Sequence, residues 1–451
     1  MSASSGISIS KTLKTIVQAF IAAVGRLDKS FSPSDTIAKL RQHTFQLSDL
    51  SYAAQLINAL FWLYIMKAPG FPLKLGIPII YTIALLVPFT SQFFIPATPV
   101  FSWLITFYSS QFTPVAWRPN ISVALLPALE SVLYGANISD ILTRVTHPVL
   151  DVIAWLPYGV LHFVIPFVVA ALSWLFRPKE VLHLWAKMFG FMMLTGVVVQ
   201  IIFPCAAPWY ELIYGLTPAD YSMHGSAGGL ARIDAIFGSN GYGYTFENAP
   251  VIFGAFPSLH AGNATLIALF LSHFFPQSTR YIWGYAGILY WATMYLTHHY
   301  LIDVVSGACL ATAIFHLFLP DEFRGPAATA PPGGLGRGQR SKYEIYDLDA
   351  PRRGNGRANG GLNEEDFDLA SDTSDRASDE EVDITFRSPN PAVGAAASDQ
   401  QAKSQPPRKK DHRHTASIAS LIRADERAED GWSPIRAGFA LPSPQGEETK
   451  R

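Results

Sequence analysis

Two short stretches put ionisable side chains where so apolar a chain should avoid them. One is Phe256-Pro257-Ser258-Leu259-His260-Ala261-Gly262; the other is His298-His299-Tyr300-Leu301-Ile302-Asp303, with His299 lying 39 residues after His260. Both sit at the edges of apolar segments, where polar side chains are costly and are functional candidates. Imidazole, with an unperturbed pKa of about 6.5, can give and take protons near neutrality. Group transfer at phosphorus uses both capacities: a nucleophile or base, an acid for the leaving oxygen, and stabilisation of charge around the phosphorus. A carboxylate bonded to one ring nitrogen fixes the tautomer and orientation of a working histidine. The four-residue spacing of His299 and Asp303 predicts such a pair, because on a helix it puts both on one face. Asp303 is then expected about one turn inside the membrane, paired with His299. His298 has no carboxylate at the matching spacing, so its claim is weaker. A histidine alone on an apolar segment is more often structural than catalytic, and His162, His183, His273 and His316 are read that way.

The elements that must position these groups are membrane helices. The chain of 451 residues is 49% hydrophobic and only 15% charged, and the average hides two unlike parts. A bilayer core asks for about 20 apolar residues per helix. Segments at 52–68, 73–95, 98–112, 152–175, 184–203, 254–275, 281–297 and 300–320 approach or meet that length. From 321 the composition turns to Gly, Pro, Ala, Ser and charged residues, which cannot bury enough apolar surface to offset chain entropy. The expected fold class is therefore all-α: a polytopic membrane helix bundle of six to eight crossings with a disordered C-terminal tail. Its parts are a cytosolic segment over 1–50, a transmembrane catalytic domain over 51–320 and a cytosolic tail over 321–451. In the first part Leu13, Ile16, Val17, Phe20, Ile21 and Val24 share one helical face. That helix either lies on the membrane or packs on the cytosolic ends of the bundle.

Loop charges give an orientation. Arg177 and Lys179 flank one break between apolar segments and Arg280 lies in another, which places those loops in the cytosol. His260, the 298–299 turn and the loop at 204–253 then share the opposite surface. Lys67 and Lys74 fall on the wrong side by this count. Trp209, Tyr210, Tyr214, Tyr221, Tyr242 and Tyr244 in the 204–253 loop read as an interfacial belt rather than as direct ligands of a headgroup, and the 113–151 region as a cap on the same side or an interfacial helix. With Cys205 and Cys309 far apart, stability does not rest on a disulfide framework. The N-terminus lacks the compact apolar core of a cleavable signal peptide. No internal repeat suggests a transporter. In the tail, Ser378 before an acidic run and Thr415 and Ser417 after basic residues are candidate phosphorylation sites.

Pro257-Ser258-Leu259-His260 and His299-x-x-x-Asp303 resemble the second and third signature motifs of the type 2 phosphatidic acid phosphatase superfamily. A closer resemblance is to fungal inositol phosphorylceramide synthases. It is carried by Ser91-Gln92-Phe93-Phe94, Ile153-Ala154-Trp155-Leu156-Pro157-Tyr158-Gly159, Pro208-Trp209-Tyr210, the stretch from Met223 to Asp234, and Met294-Tyr295-Leu296-Thr297-His298-His299-Tyr300. It covers about residues 40–320 and does not reach the tail. The resemblance implies His299 as nucleophile toward phosphatidylinositol, Asp303 as its orienting partner, and His260 as acid for the diacylglycerol oxygen and then base on ceramide. It also implies a site facing the Golgi lumen, no cofactor or metal, a small regulatory membrane subunit, lipid substrates in the bilayer, and no nucleic-acid partner. The superfamily's third motif has Ser-Arg where this chain has Ala292-Thr293, and its first has a Lys that neither Arg118-Pro119 nor Arg177-Pro178 shows. A diester bears one charge, so it needs less neutralisation. Arg232 is the candidate for that task, with Gly225, Gly228 and Gly229 allowing close backbone approach. Ser258 and His298 complete the candidate substrate-binding set. Two alternatives stay open: a lipid phosphatase with water as acceptor, and a transporter or scaffold whose histidines only cap helices.

Overall fold

The computed structural model describes residues 9–329, all within one compact unit, Met1–Gly354. The expectations for 330–451, including the phosphorylation sites, lie outside the described residues. The described residues form helices and no strand. In order these are α1 (Ile9–Gly25), α2 (Pro33–Arg41), α3 (Leu50–Ile65), α4 (Leu73–Leu86), α5 (Pro88–Phe94) and α6 (Thr98–Ser110). Then come α7 (Leu125–Tyr134), α8 (Ile138–Thr143), α9 (Pro148–Trp155), a π-helical stretch Leu156–Leu161, α10 (His162–Phe176), α11 (Lys179–Ile202), α12 (Pro208–Tyr214), α13 (Leu230–Phe237) and α14 (Gly241–Glu247). Last are α15 (Leu259–Phe274), α16 (Thr279–Tyr295) and α17 (Leu301–Phe318).

Three helices among the described residues are long and apolar enough to cross a bilayer unbroken: Pro148–Phe176, Lys179–Ile202 and Leu301–Phe318. The expected segment 73–95 is not one rod. Pro88 forces Val87 into an extended conformation, and α5 leaves α4 at 108°. Together those two would make a fourth span. The expected 254–275 segment starts late, because Pro257 precedes the N-cap Ser258 and the helix begins at Leu259. Phe163 and Phe167 on α10, like Leu56, Ile57 and Tyr64 on α3, are exposed, an apolar surface suited to lipid. On α3 and α6, Asn58 Nδ2 donates to Thr106 Oγ1 (2.9 Å), an interhelical polar link.

The site rests on α15, α16 and α17. α15 and α17 approach at two glycines: a Cβ on Gly307 would collide with the Ser258 carbonyl oxygen, and Gly262 lies against the Gly307 carbonyl. At this crossing Ser258 N–H donates to Asp303 O (3.0 Å), which fixes the start of one helix against the start of the other. α16 ends in a sharp reversal. Thr297 takes a left-handed conformation (φ 67°), and the His298 and His299 amides both donate to Thr293 O (3.0 and 3.3 Å).

At the far end of the bundle, Arg177 Nε donates to Phe274 O (3.0 Å) and Arg26 Nη2 to Trp174 O (2.6 Å). The breaks at 177–179 and 275–279 therefore share an end with α1, remote from the histidines. Phe20 of α1 meets Trp174 edge-on while Leu13, Ile16, Val17 and Ile21 stay exposed, so most of its apolar face is not packed on the bundle. The packed part also runs past 320. Phe323 is buried beside Phe274, and its carbonyl accepts a bond from His273 Nε2 (2.6 Å).

Candidate active site

His260 stands on the first turn of α15 and His299 in the reversal before α17. Their rings meet, with His260 Nδ1 3.4 Å from His299 Nε2. The other nitrogen of His299 decides the tautomers. His299 Nδ1 lies 3.0 Å from the Ala255 carbonyl, which can only accept, so Nδ1 carries the proton and Nε2 a lone pair. His260 Nδ1–H then donates to that lone pair. A bare nitrogen on one ring thus faces a proton-bearing nitrogen on the other.

Asp303 is completely buried, with Oδ2 3.7 Å from His299 Nδ1, beyond hydrogen-bond reach. Helical spacing had suggested a direct bond. His299, however, lies outside α17, and Asp303 as its third residue turns back to accept the Tyr300 amide (2.8 Å) in a capping box. The acceptor that His299 Nδ1 meets is the backbone of Ala255, with the Asp303 carboxyl group beside the ring. Asp303 Oδ1 has no hydrogen-bond partner among the described residues.

The other candidate residues sit around this pair in different roles. Ser258 is buried and N-caps α15, its hydroxyl accepting from the Ala261 amide (3.3 Å). His298 is buried between the rings of Tyr158 and Phe246, and its Nε2 donates to Ala227 O (3.1 Å). Arg232 is bound to Asp151: Nε donates to Oδ1 (2.8 Å), and Nη2, equally near at 2.7 Å, is not aligned to donate. Tyr295 donates to the same oxygen (2.8 Å) and lies under the guanidinium. Burial alone would lower the Arg232 pKa; the Asp151 carboxylate more than offsets this and raises it. The glycines before Arg232 do permit close approach, but to the turn at 296–299. Gly228 has φ 52°, its added Cβ would strike Thr297 Oγ1, and the Gly229 amide donates to Leu296 O (3.0 Å).

Tyr158 and His162 escaped the reading of the sequence as site residues. Tyr158 stacks on His260 with ring centroids 4.2 Å apart, and His162 meets His260 edge-on at 4.7 Å. Both come from the π-helical stretch and its exit, where Pro157 at the second position cannot donate a helical bond. Their four-residue spacing next to a proline was the available signal. Trp209 and Tyr210 are also core residues, whereas Tyr214 and Tyr244 remain exposed as an interfacial belt requires.

Residues 126–317 match the PAP2 superfamily, an interval that runs from α7 to α17 and contains every group above. The chain is 49% identical over 290 residues to inositol phosphorylceramide synthase catalytic subunit aur1 of Schizosaccharomyces pombe, covering 64% of this chain and 69% of that one. The chain belongs to the inositol phosphorylceramide synthase family. It is likewise 45% identical over 281 residues to the inositol phosphorylceramide synthase of Candida albicans, covering 62% of this chain and 59% of the relative. A bacterial relative, the phosphoinositol dihydroceramide synthase of Bacteroides thetaiotaomicron, is 30% identical over 209 residues, 42% of this chain and 65% of its own. No solved structure matches. Membership confirms the helical membrane architecture of a PAP2-type enzyme expected from the motifs, with the superfamily match ending before the tail.

Proposed function

We propose that this chain transfers phosphoinositol from phosphatidylinositol to the primary hydroxyl of ceramide and releases diacylglycerol. The observation that carries the chemistry is the contact of His299 Nε2 with His260 Nδ1, with the proton on the His260 side. In the first step the Nε2 lone pair attacks phosphorus. The bond from phosphorus to the diacylglycerol oxygen breaks, and His260, acting as the imidazolium, gives that oxygen the proton on Nδ1 and is left neutral. The phosphorus approaches along the lone pair that the His260 proton now occupies, so the donor displaces this hydrogen bond and presents its leaving oxygen to the same proton. In the second step His260 takes the ceramide hydroxyl proton as that oxygen attacks phosphorus, and the bond to His299 breaks. Asp303 stabilises the positive charge that develops on His299. Ser258 and His298 hold the surroundings of this pair through the α15 cap and the bond to Ala227. Arg232 remains the candidate for the phosphate oxygens, as a guanidinium held in place by Asp151.

The site is placed on the luminal surface of a Golgi membrane. The support is the gathering of Arg177 and the 275–279 break at the opposite end, as basic cytosolic loops require. A small regulatory membrane subunit rests on the family resemblance. Relatives named as synthases favour transfer over hydrolysis by water and over a transport or scaffold role. The distinguishing experiment supplies headgroup-labelled phosphatidylinositol to purified protein with and without ceramide. Label is expected in a ceramide-dependent lipid; label released as water-soluble inositol phosphate regardless of ceramide would instead mean a phosphatase.

A further inference from the structure

Glu130 lies on α7, fully buried, and none of the ion pairs among the described residues includes it. Its Oε1 accepts from the Leu301 amide (3.0 Å) and from the Ser139 hydroxyl (3.2 Å). Ser139, on α8 and also buried, sits at the same distance, 3.2 Å, from the carbonyl oxygen of His299. Its one proton is shared between those acceptors. Two cap helices thus grip the backbone on both sides of Tyr300: the carbonyl that ends His299 and the amide that begins Leu301.

Helix capping alone does not call for this arrangement. Asp303 already caps α17 from within, through the Tyr300 amide. A second carboxyl brought from another helix and buried is costly unless its bonds matter. Burial pushes the Glu130 carboxyl above its usual range, and the Asp303 carboxylate acts in the same direction. His299 is the residue that needs the grip. It lies between helices, follows a left-handed Thr297, and among the described residues its ring has the Ala255 carbonyl and His260 as its hydrogen-bond partners. A displacement of about 1 Å at a reacting group can cost about 100-fold in rate.

We propose that Glu130, acting with Ser139, is a positioning residue for phosphoinositol transfer: from the cap helices it holds the 299–301 backbone so that His299 Nε2 stays aimed at the phosphorus. This rests on the reading of His299 as nucleophile. The test measures kcat, both KM values and the melting temperature of purified full-length Glu130→Ala, Glu130→Gln and Ser139→Ala. Glu130→Ala is expected to lose about 100-fold in kcat with each KM within about threefold of wild type. Glu130→Gln is expected to recover most of that loss, because its amide oxygen still accepts from Leu301 N–H. A purely structural role would lower the melting temperature and the yield while leaving kcat per folded molecule unchanged, and that result overturns the proposal. If Glu130→Ala does not fold, Ser139→Ala decides. A kcat reduced about tenfold at unchanged KM and melting temperature supports the grip, and wild-type kcat refutes it. If wild type itself makes no ceramide-dependent product, the reading of the function has failed; if it does and Glu130→Ala matches it, only this inference has.

Discussion

His260 and His299 differ in which nitrogen faces the other, and the proposed roles of acid and nucleophile rest on that difference. An acid is needed in proportion to how poor the leaving group is. With a phosphoinositol donor carrying a nitrophenol in place of diacylglycerol, His260→Ala is expected to regain most of its donor cleavage. His299→Ala is expected to stay inactive, and the comparison is read from nitrophenolate release. Equal rescue of both variants would put the nucleophile elsewhere. The candidate residues were legible because two imidazoles and a carboxylate stand out at the edge of apolar segments. The Ala255 carbonyl was not, since a backbone acceptor leaves no mark on side-chain type. Asp303 was legible as a partner but not in its geometry, because four-residue spacing means direct contact only when both residues are helical, and α17 starts after His299. Tyr158 and His162 stayed hidden for a similar reason: the π-helical stretch, not the spacing alone, turns both onto His260.

Among the elements, the crossing of α15 and α17 carries most of the precision, because it sets His260 against the turn that holds His299. Gly307→Ala would push a methyl group into the Ser258 carbonyl, a backbone atom that cannot swing away. Overpacking of this kind costs about 1–3 kcal/mol. The variant is expected to melt lower and to lose activity beyond its loss of folded protein, measured as kcat against thermal stability; wild-type values for both would show that the helices can part without harm. Apolar length located most of the helices, including α10, α11, α16 and α17. It missed the bend after α4 because hydropathy is blind to the conformation a proline imposes on the residue before it. It also began α15 too early, since Phe253 and Ala255 are as apolar as a helix core but are buried in the cap around Tyr300 instead.

For the whole molecule, orientation is the claim that binds the chemistry to a compartment. An N-glycosylation acceptor engineered into the exposed loop near Leu216 is expected to be modified in cells, and one placed at the 177–179 break is not; a gel-mobility shift reads both. The reverse pattern would put the histidines in the cytosol. Loop charge is the ground for this orientation, and the Arg177–Phe274 link adds that two basic breaks belong to one end. The regular bundle was legible to about 320, yet Phe323 packs beyond it because one aromatic in a polar stretch is enough to dock a turn against His273 and Phe274. What the molecule is proposed to do as a whole is move phosphoinositol between lipids, with His299 as the nucleophile. The most direct measurement is transfer of labelled headgroup from phosphatidylinositol to ceramide by purified wild type and His299→Ala of equal melting temperature. Labelled inositol phosphorylceramide from wild type and none from the variant is the expected result; product from both at similar rates would contradict the central role of His299.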